Sequence, residues 1–233
     1  MEILTGNFKL AKARKQGWLA RGISLLPGNK SGIELCPDRG ACFATCIESS
    51  GHGTMPNVTR ARMERARFFA DHQDAFITLL HIDIERLVHS AKALKLRPAC
   101  RLNVISDIAW EVVAPDLFTS FPEVQFYDYT KSPERARAHR RGDFTPGYDL
   151  TYSWSEKASH QFGMAHLNGG GKIAIVSRYS PIERYDLPNW LRQLNSQRFV
   201  DGDEHDLTFL HPPGSVIVLS VKGKLRSKRT KFA

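Results

Sequence analysis

The chain has 233 residues, 42% of them hydrophobic, with 33 basic against 24 acidic side chains and a formal charge of +9 at pH 7. That apolar content supplies a buried core for one domain over 1–233, and no Ser/Gly-rich or Pro-rich linker divides it. The start lacks a secretory leader pattern and no apolar run is long enough to cross a bilayer, which places the chain in a cytosol, with no membrane partner, while the basic balance favours contact with polyanions such as nucleic acid.

Residues 8–27 read as short extended pieces, with Phe8, Leu10, Trp18, Leu19 and Ile23 to Leu26 interrupted by the basic stretch Lys12 to Gln16. A loop rich in Gly, Pro and Ser follows as far as Pro56 and carries Cys36, Cys42 and Cys46 in the spacing Cys-x5-Cys-x3-Cys. A reducing cytosol disfavours structural disulfides, so the cluster reads as a metal site. Thiolates are soft ligands suited to an iron-sulfur cluster or to zinc, and Pro37 and Gly40 let the loop turn sharply enough to aim all three inward. A four-iron cluster held by three cysteines keeps one iron open; a zinc ion would want a fourth ligand, with His52 and Cys100 as candidates. Cys100 otherwise reads as a small buried thiol.

The pattern predicts a first helix that begins after Asn57, its cap, and runs through Arg67, carrying Arg60, Arg62, Arg65 and Arg67. A second is marked by Phe76, Leu79, Leu80, Ile84, Leu87, Val88, Ala91 and Leu94, recurring at three- and four-residue steps. Beyond it, short apolar runs alternate with helical or loop segments: Leu102 to Ile105, Val124 to Tyr127, Leu150 to Tyr152, Ile173 to Val176 and Val216 to Leu219. Such long crossovers predict an α/β fold, either a partial (β/α) barrel or a mostly parallel sheet, behind the N-terminal extended segment and cysteine loop.

Polar residues follow these runs, and in a parallel sheet the carboxyl ends share one face. Asp107, Asp128 and Lys131 are the candidate catalytic residues, the acids to orient a substrate hydroxyl or amine and the lysine to hold an anionic group with Arg178. Ser106, Ser153 and Ser155 are candidate substrate contacts. Gly169 to Gly171 reads as a helix terminator. The acidic run Asp201, Asp203, Glu204 and Asp206 with His205 offers hard oxygen ligands for magnesium, or a polar turn. Arg135, Arg137, Arg140 and Arg141 form one basic group, and 222–233 a basic tail.

Several of these features in order resemble the phage gene product 88-like family: Gly6-Asn7-Phe8-Lys9-Leu10, Leu26-Pro27 before Cys36-Pro37, and the arginine-rich helix. Arg101-Leu102-Asn103 with Ser106-Asp107 and Trp110-Glu111, Phe126-Tyr127-Asp128-Tyr129-Thr130-Lys131, Asp201-Gly202-Asp203 with His205-Asp206, and Lys222-Gly223 complete the resemblance. It implies a phage or prophage protein acting in a bacterial cytoplasm and supplies no reaction. More distantly, a three-cysteine loop ahead of successive βα units is similar to the radical S-adenosylmethionine enzymes, in which three cysteines hold a four-iron cluster whose open iron binds the cosubstrate. Those enzymes use Cys-x3-Cys-x2-Cys and a Gly-Gly-Glu after the following strand; here the spacing is x5 and x3, and Ser106-Asp107 stands instead.

The leading expectation is a phage-type metalloprotein with an iron-sulfur cluster on Cys36, Cys42 and Cys46, acting on nucleic acid or another anionic substrate, with S-adenosylmethionine as an implied cosubstrate. The rivals are a non-catalytic, zinc-stapled nucleic-acid-binding protein and a magnesium-dependent nuclease or replication protein centred on Asp201, Asp203 and His205.

Overall fold

A computed structural model describes residues 1–40, 42, 46, 51–144, 146–178 and 187–221. The basic tail over 222–233 and the side chain of His52 lie outside the described residues. The strands are β1 (Leu4–Thr5), β2 (Trp18–Ile23), β3 (Arg97–Arg101), β4 (Gln125–Thr130), β5 (Tyr148–Ser153), β6 (Ile173–Ser177), β7 (Phe199–Asp201) and β8 (Val216–Ser220). They form one sheet in the order β1-β2-β3-β4-β5-β6-β8-β7. Only β1 pairs antiparallel, with β2; the remaining pairs are parallel. The sheet is open, with β1 and β7 as its edges, as a partial barrel or mostly parallel sheet requires.

The helices are α1 (Phe8–Ala11), α2 (Gly28–Ser31), α3 (Pro56–Asp71), α4 (Gln73–Ala93), α5 (Trp110–Val113), α6 (Asp116–Ser120), α7 (Pro133–Arg141), α8 (His160–Asn168) and α9 (Asn189–Arg192). From β2 to β6 the spatial order equals the chain order, so right-handed crossovers put the connecting helices on one face. Alternation along the strands follows. Leu19, Ile23, Cys100, Phe126 and Leu150 pack with Phe76, Leu80, Ile84 and Leu87 of α4. Tyr152, Ile173, Ile175, Val216 and Val218 pack with Ala136 of α7, Phe162 and Leu167 of α8, and Leu191. Each buried Val, Leu, Ile or Phe among them contributes about 1.5–3 kcal/mol. The opposite face carries Trp18, Ala20, Ala99 and Tyr127, covered by Leu10, Ala13 and Leu207.

The second predicted helix is α4, and its apolar stripe faces the core. The first begins at Pro56 rather than after Asn57 and continues to Asp71. Phe8 to Leu10, expected to be extended, is helical because the Asn7 side chain accepts from Leu10 N (2.9 Å) and caps a short turn. The strand expected at Leu102 to Ile105 lies upstream, at β3. Past Arg101 the chain crosses over Gly22, where a Cβ would meet Val104 Cγ2 at 2.6 Å and Arg101 O at 2.8 Å. The glycine triplet ends α8 as expected, with Gly169 at its C-cap and Gly171 N bonded to His166 O (2.9 Å).

Two buried carboxylates anchor the N-terminal segment. Asp83 of α4 accepts from Ile3 N (2.6 Å) and Leu4 N (3.1 Å), holding β1 against the helix. Asp206, with a fully buried side chain, pairs with Lys9 (2.8 Å) and Arg101 (2.7 Å), joining α1, β3 and the β7–β8 connection. Burial alone would raise the Asp206 carboxyl, but Arg101 and Lys9 together hold it below its ordinary value.

Asp206→Ala strands two cations on the covered face and is expected to remove about 3–5 kcal/mol of stability, measured by urea unfolding at pH 7. A carboxyl held low in the folded state stabilises above its unfolded pKa and ceases to as pH falls through the folded one. The gap between wild type and variant therefore narrows in acid; a gap indifferent to pH would contradict the ion-pair account.

Candidate functional site

The loop after β3 is organised by Asn103. Its backbone N–H donates to Asp128 Oδ1 (2.6 Å), and its amide nitrogen donates to Asp128 Oδ2 (3.2 Å) and to Ile108 O (2.9 Å). Its amide oxygen accepts from Ser106 Oγ (2.8 Å), Ile108 N (2.9 Å) and Trp110 Nε1 (3.3 Å). Tyr148 OH adds a third donor to Asp128 at 3.0 Å. Asp128, fully buried, lies on the same sheet face as Phe126, toward the helices, and its oxygens are engaged by Asn103 and Tyr148. The structure thus makes it and Ser106 positioning residues for the loop, where sequence reading set them in the cleft.

Asp107 is the loop's tie to the next strand. Its Oδ2 accepts from Thr130 Oγ1 (3.2 Å) and Lys131 N (2.8 Å), and its Oδ1 meets Arg135 at 2.6 Å. Arg135 also grips Glu111 with both prongs of its fork, at 2.7 and 2.8 Å. A guanidinium between two carboxylates is a structural keystone, so Arg135 parts company with Arg137, Arg140 and Arg141, whose side chains are exposed. Burial pushes Asp107 up, and Arg135 and the two donors at Oδ2 restrain the shift.

Lys131 lies on the other sheet face. Its Nζ donates to Ser153 Oγ (3.2 Å) and Trp154 O (3.1 Å). Burial lowers its pKa, against the pull of Cys42, Glu156 and Asp107. Ser155 is buried beside Tyr152 OH at 3.3 Å, and Arg178 stands half-buried just past β6, two strands from Lys131. The sheet rim therefore brings Asp107, Lys131 and Ser153 together, while Ser106, Asp128 and Ser155 are spent on internal bonds.

The cysteine loop docks on this rim. Asp107 N donates to Leu35 O (2.7 Å), and Cys36 Sγ lies 3.8 Å from Ile105 O. Successive turns, Arg39 N to Cys36 O (3.2 Å) and Cys42 N to Arg39 O (3.0 Å), bend the chain back on itself. Gly40, at φ +48°, sits against the Glu156 carboxylate where a Cβ would collide, so the loop also touches the β5–α8 connection. Cys36, Cys42 and Cys46 are partly buried thiols. Burial, then Asp107, Cys46, Cys42 and Glu34, push the Cys36 thiol up to about 12. Cys42 is raised by burial, with Lys131 opposing and Glu156 and Asp107 adding to the rise. Cys36 thus lies in the field of Asp107, Cys46 and Cys42, and Cys42 in that of Lys131 and Asp107. Among the described residues no three His, Cys, Asp or Glu side chains are gathered as a metal-holding group.

Cys100 lies elsewhere, fully buried in the helical core, where burial and then Asp128 raise its thiol pKa. The late acidic run is dispersed. Asp201 accepts from Asp203 N (2.8 Å), Asp203 from Ser220 N (3.0 Å), Asp206 is paired with Lys9 and Arg101, and His205 stacks on His211. These bonds make it a structured turn beside β8.

Sequence reading did not single out Asn103, Glu111 or Arg135 as parts of one rim. Asn103 and Glu111 were visible within motifs, and Arg135 was hidden among exposed arginines. A family model described as "Gene product 88" matches residues 1–233. No curated protein and no solved structure matches the chain.

Asp128 gives this site a measurable signature. Burial raises its carboxyl to about 7, with Arg101, Asn103 N–H and Tyr148 pulling the other way. A raised folded pKa favours folding most below the unfolded value and loses that advantage as pH rises to about 7. Between pH 4 and 8 wild type is expected to lose stability, on the order of 4 kcal/mol, relative to Asp128→Asn, read from paired thermal melts. Parallel pH profiles would show that Asp128 is not the buried, raised carboxyl.

Proposed function

We propose that this chain, which belongs to the gene product 88 family of phage proteins, carries an iron-sulfur cluster on Cys36, Cys42 and Cys46 at the carboxyl ends of its parallel strands. The observation that carries the reading is the seating of the cysteine loop. Hydrogen bonds to the β3 loop and the Gly40 contact with Glu156 hold the loop and its three thiols over the rim, beside Lys131. Soft thiolates on a tight loop suit a cluster, and binding displaces the thiol protons. Three ligands would leave one iron of a four-iron cluster for an exogenous group, such as S-adenosylmethionine.

The residues of the rim have separate duties in this reading. Lys131, held by Ser153 and Trp154, presents positive charge to an anionic substrate group. Asp107 positions that lysine through its backbone N–H and keeps the cysteine loop attached through Leu35. Nucleic acid is the anionic partner favoured by the net charge of +9. A cytosolic setting, which keeps the thiols reduced, completes the proposal.

Chain purified without oxygen is expected to be brown, with several irons and matching acid-labile sulfide per molecule. Alanine at Cys36, Cys42 or Cys46 is expected to strip the iron, while Cys100→Ala retains it. A colourless protein holding one zinc per chain would overturn the cluster and favour the stapled-loop alternative. Affinity for single-stranded DNA that does not change across a salt series would remove the nucleic-acid part alone.

A further inference from the structure

Between α7 and α8 lies a depression of about 340 Å3, lined by Arg137, Arg140, Ser159, Gln161 and His166 with Phe162 in one wall. None of these residues belongs to the rim described above. No acidic residue lines the depression among the described residues. The Arg137 guanidinium rests 4.6 Å over the Phe162 ring, which fixes its direction. Its contact with Glu134 is long, 3.5 Å, and both side chains are exposed, so this pair neutralises little. Arg140 packs against Gly169, where a side chain would collide with it. Ser159 caps α8 by accepting from Phe162 N (3.2 Å), so the positive end of a nine-residue helix opens on the same space.

His166 supplies the observation that points to a ligand. It is 1% exposed, and neither ring nitrogen makes a hydrogen bond of ordinary geometry. Burial holds its imidazole neutral with a pKa of about 4, against a hydrogen bond with the Lys172 backbone and with lesser help from Arg140, His139 and Arg137. A buried imidazole whose one backbone contact, at Lys172, falls outside ordinary hydrogen-bond geometry is under-satisfied, and here it lines a depression whose charges share one sign.

We propose that this depression binds a phosphate group, with Arg137 and Arg140 as its charged fork and His166 as a buried donor beneath it. Planar guanidinium forks match phosphate oxygens, and the volume suits a phosphate with part of the group that bears it. The chemistry is shared by free phosphate and by the backbone of single-stranded nucleic acid, and two probes separate them. The site does not depend on the cluster reading, and metal-free protein serves for the test.

The experiment follows the His166 ring resonances of the full chain by NMR, assigned with His166→Gln, at constant ionic strength. Inorganic phosphate or a short single-stranded DNA is expected to shift them and raise the midpoint of the His166 titration. Arg140→Ala is expected to weaken the effective probe about tenfold or more, and for DNA to reduce the salt slope by about one. Arg137→Gln, also at an exposed position, gives a second reading should the first variant misfold. A response to phosphate but not DNA assigns the site to a small ligand, and the reverse to nucleic acid. Unmoved His166 resonances with both probes, or wild-type binding by both arginine variants, would overturn the proposal.

Discussion

The rim depends on one buried contact, the clamp between the Asp128 carboxylate and the backbone and amide of Asn103. A chain leaving a strand has no ladder to satisfy its polar groups. Asn103 replaces the ladder with bonds to Asp128, Ser106, Ile108 and Trp110. Once the loop is fixed, Asp107 can reach Thr130, Lys131 and Arg135 on one side and Leu35 on the other. The position of the cysteine loop is thus inherited from a buried carboxylate one loop away, and the cost of burying that carboxylate shows as its raised pKa.

Charge in this chain is divided between internal and external work. Arg101 and Lys9 share Asp206, Arg135 bridges Asp107 and Glu111, and Lys172 holds Asp149 at 2.7 Å. These cations are structural, because each lies against a carboxylate and removing either partner leaves the other in low dielectric. The net charge of +9 therefore cannot be read as one basic face. Arg137 and Arg140 are a different case, since they border a depression without acids.

The α4 stripe and the strands β4, β5, β6 and β8 were legible because burial imposes its period on the residues, whereas the short edge strand β7 was not. β3 was displaced because Leu102 and Val104 are apolar for another reason. They lie two apart, as strand partners would, yet Leu102 packs with the helical core and Val104 against the opposite cluster. The turn made by Asn103 sends them apart, and no local pattern encodes a bond to a residue 25 positions away. Asp128 shows the converse. Its parity with Phe126 fixed the face it occupies, but proximity to the strand end drew it into the cleft in the sequence reading. Gathering the cysteines with Lys131 required the parallel register, which spacing alone does not contain.

The most direct test of the central claim is the Mössbauer spectrum of 57Fe-enriched protein prepared without oxygen. Three thiolates on a four-iron cluster predict a multi-iron signal in which one iron differs from the others, and in which that iron alone responds to an added exogenous ligand. A mononuclear iron spectrum, or no protein-bound iron in a correctly folded chain, would contradict the account.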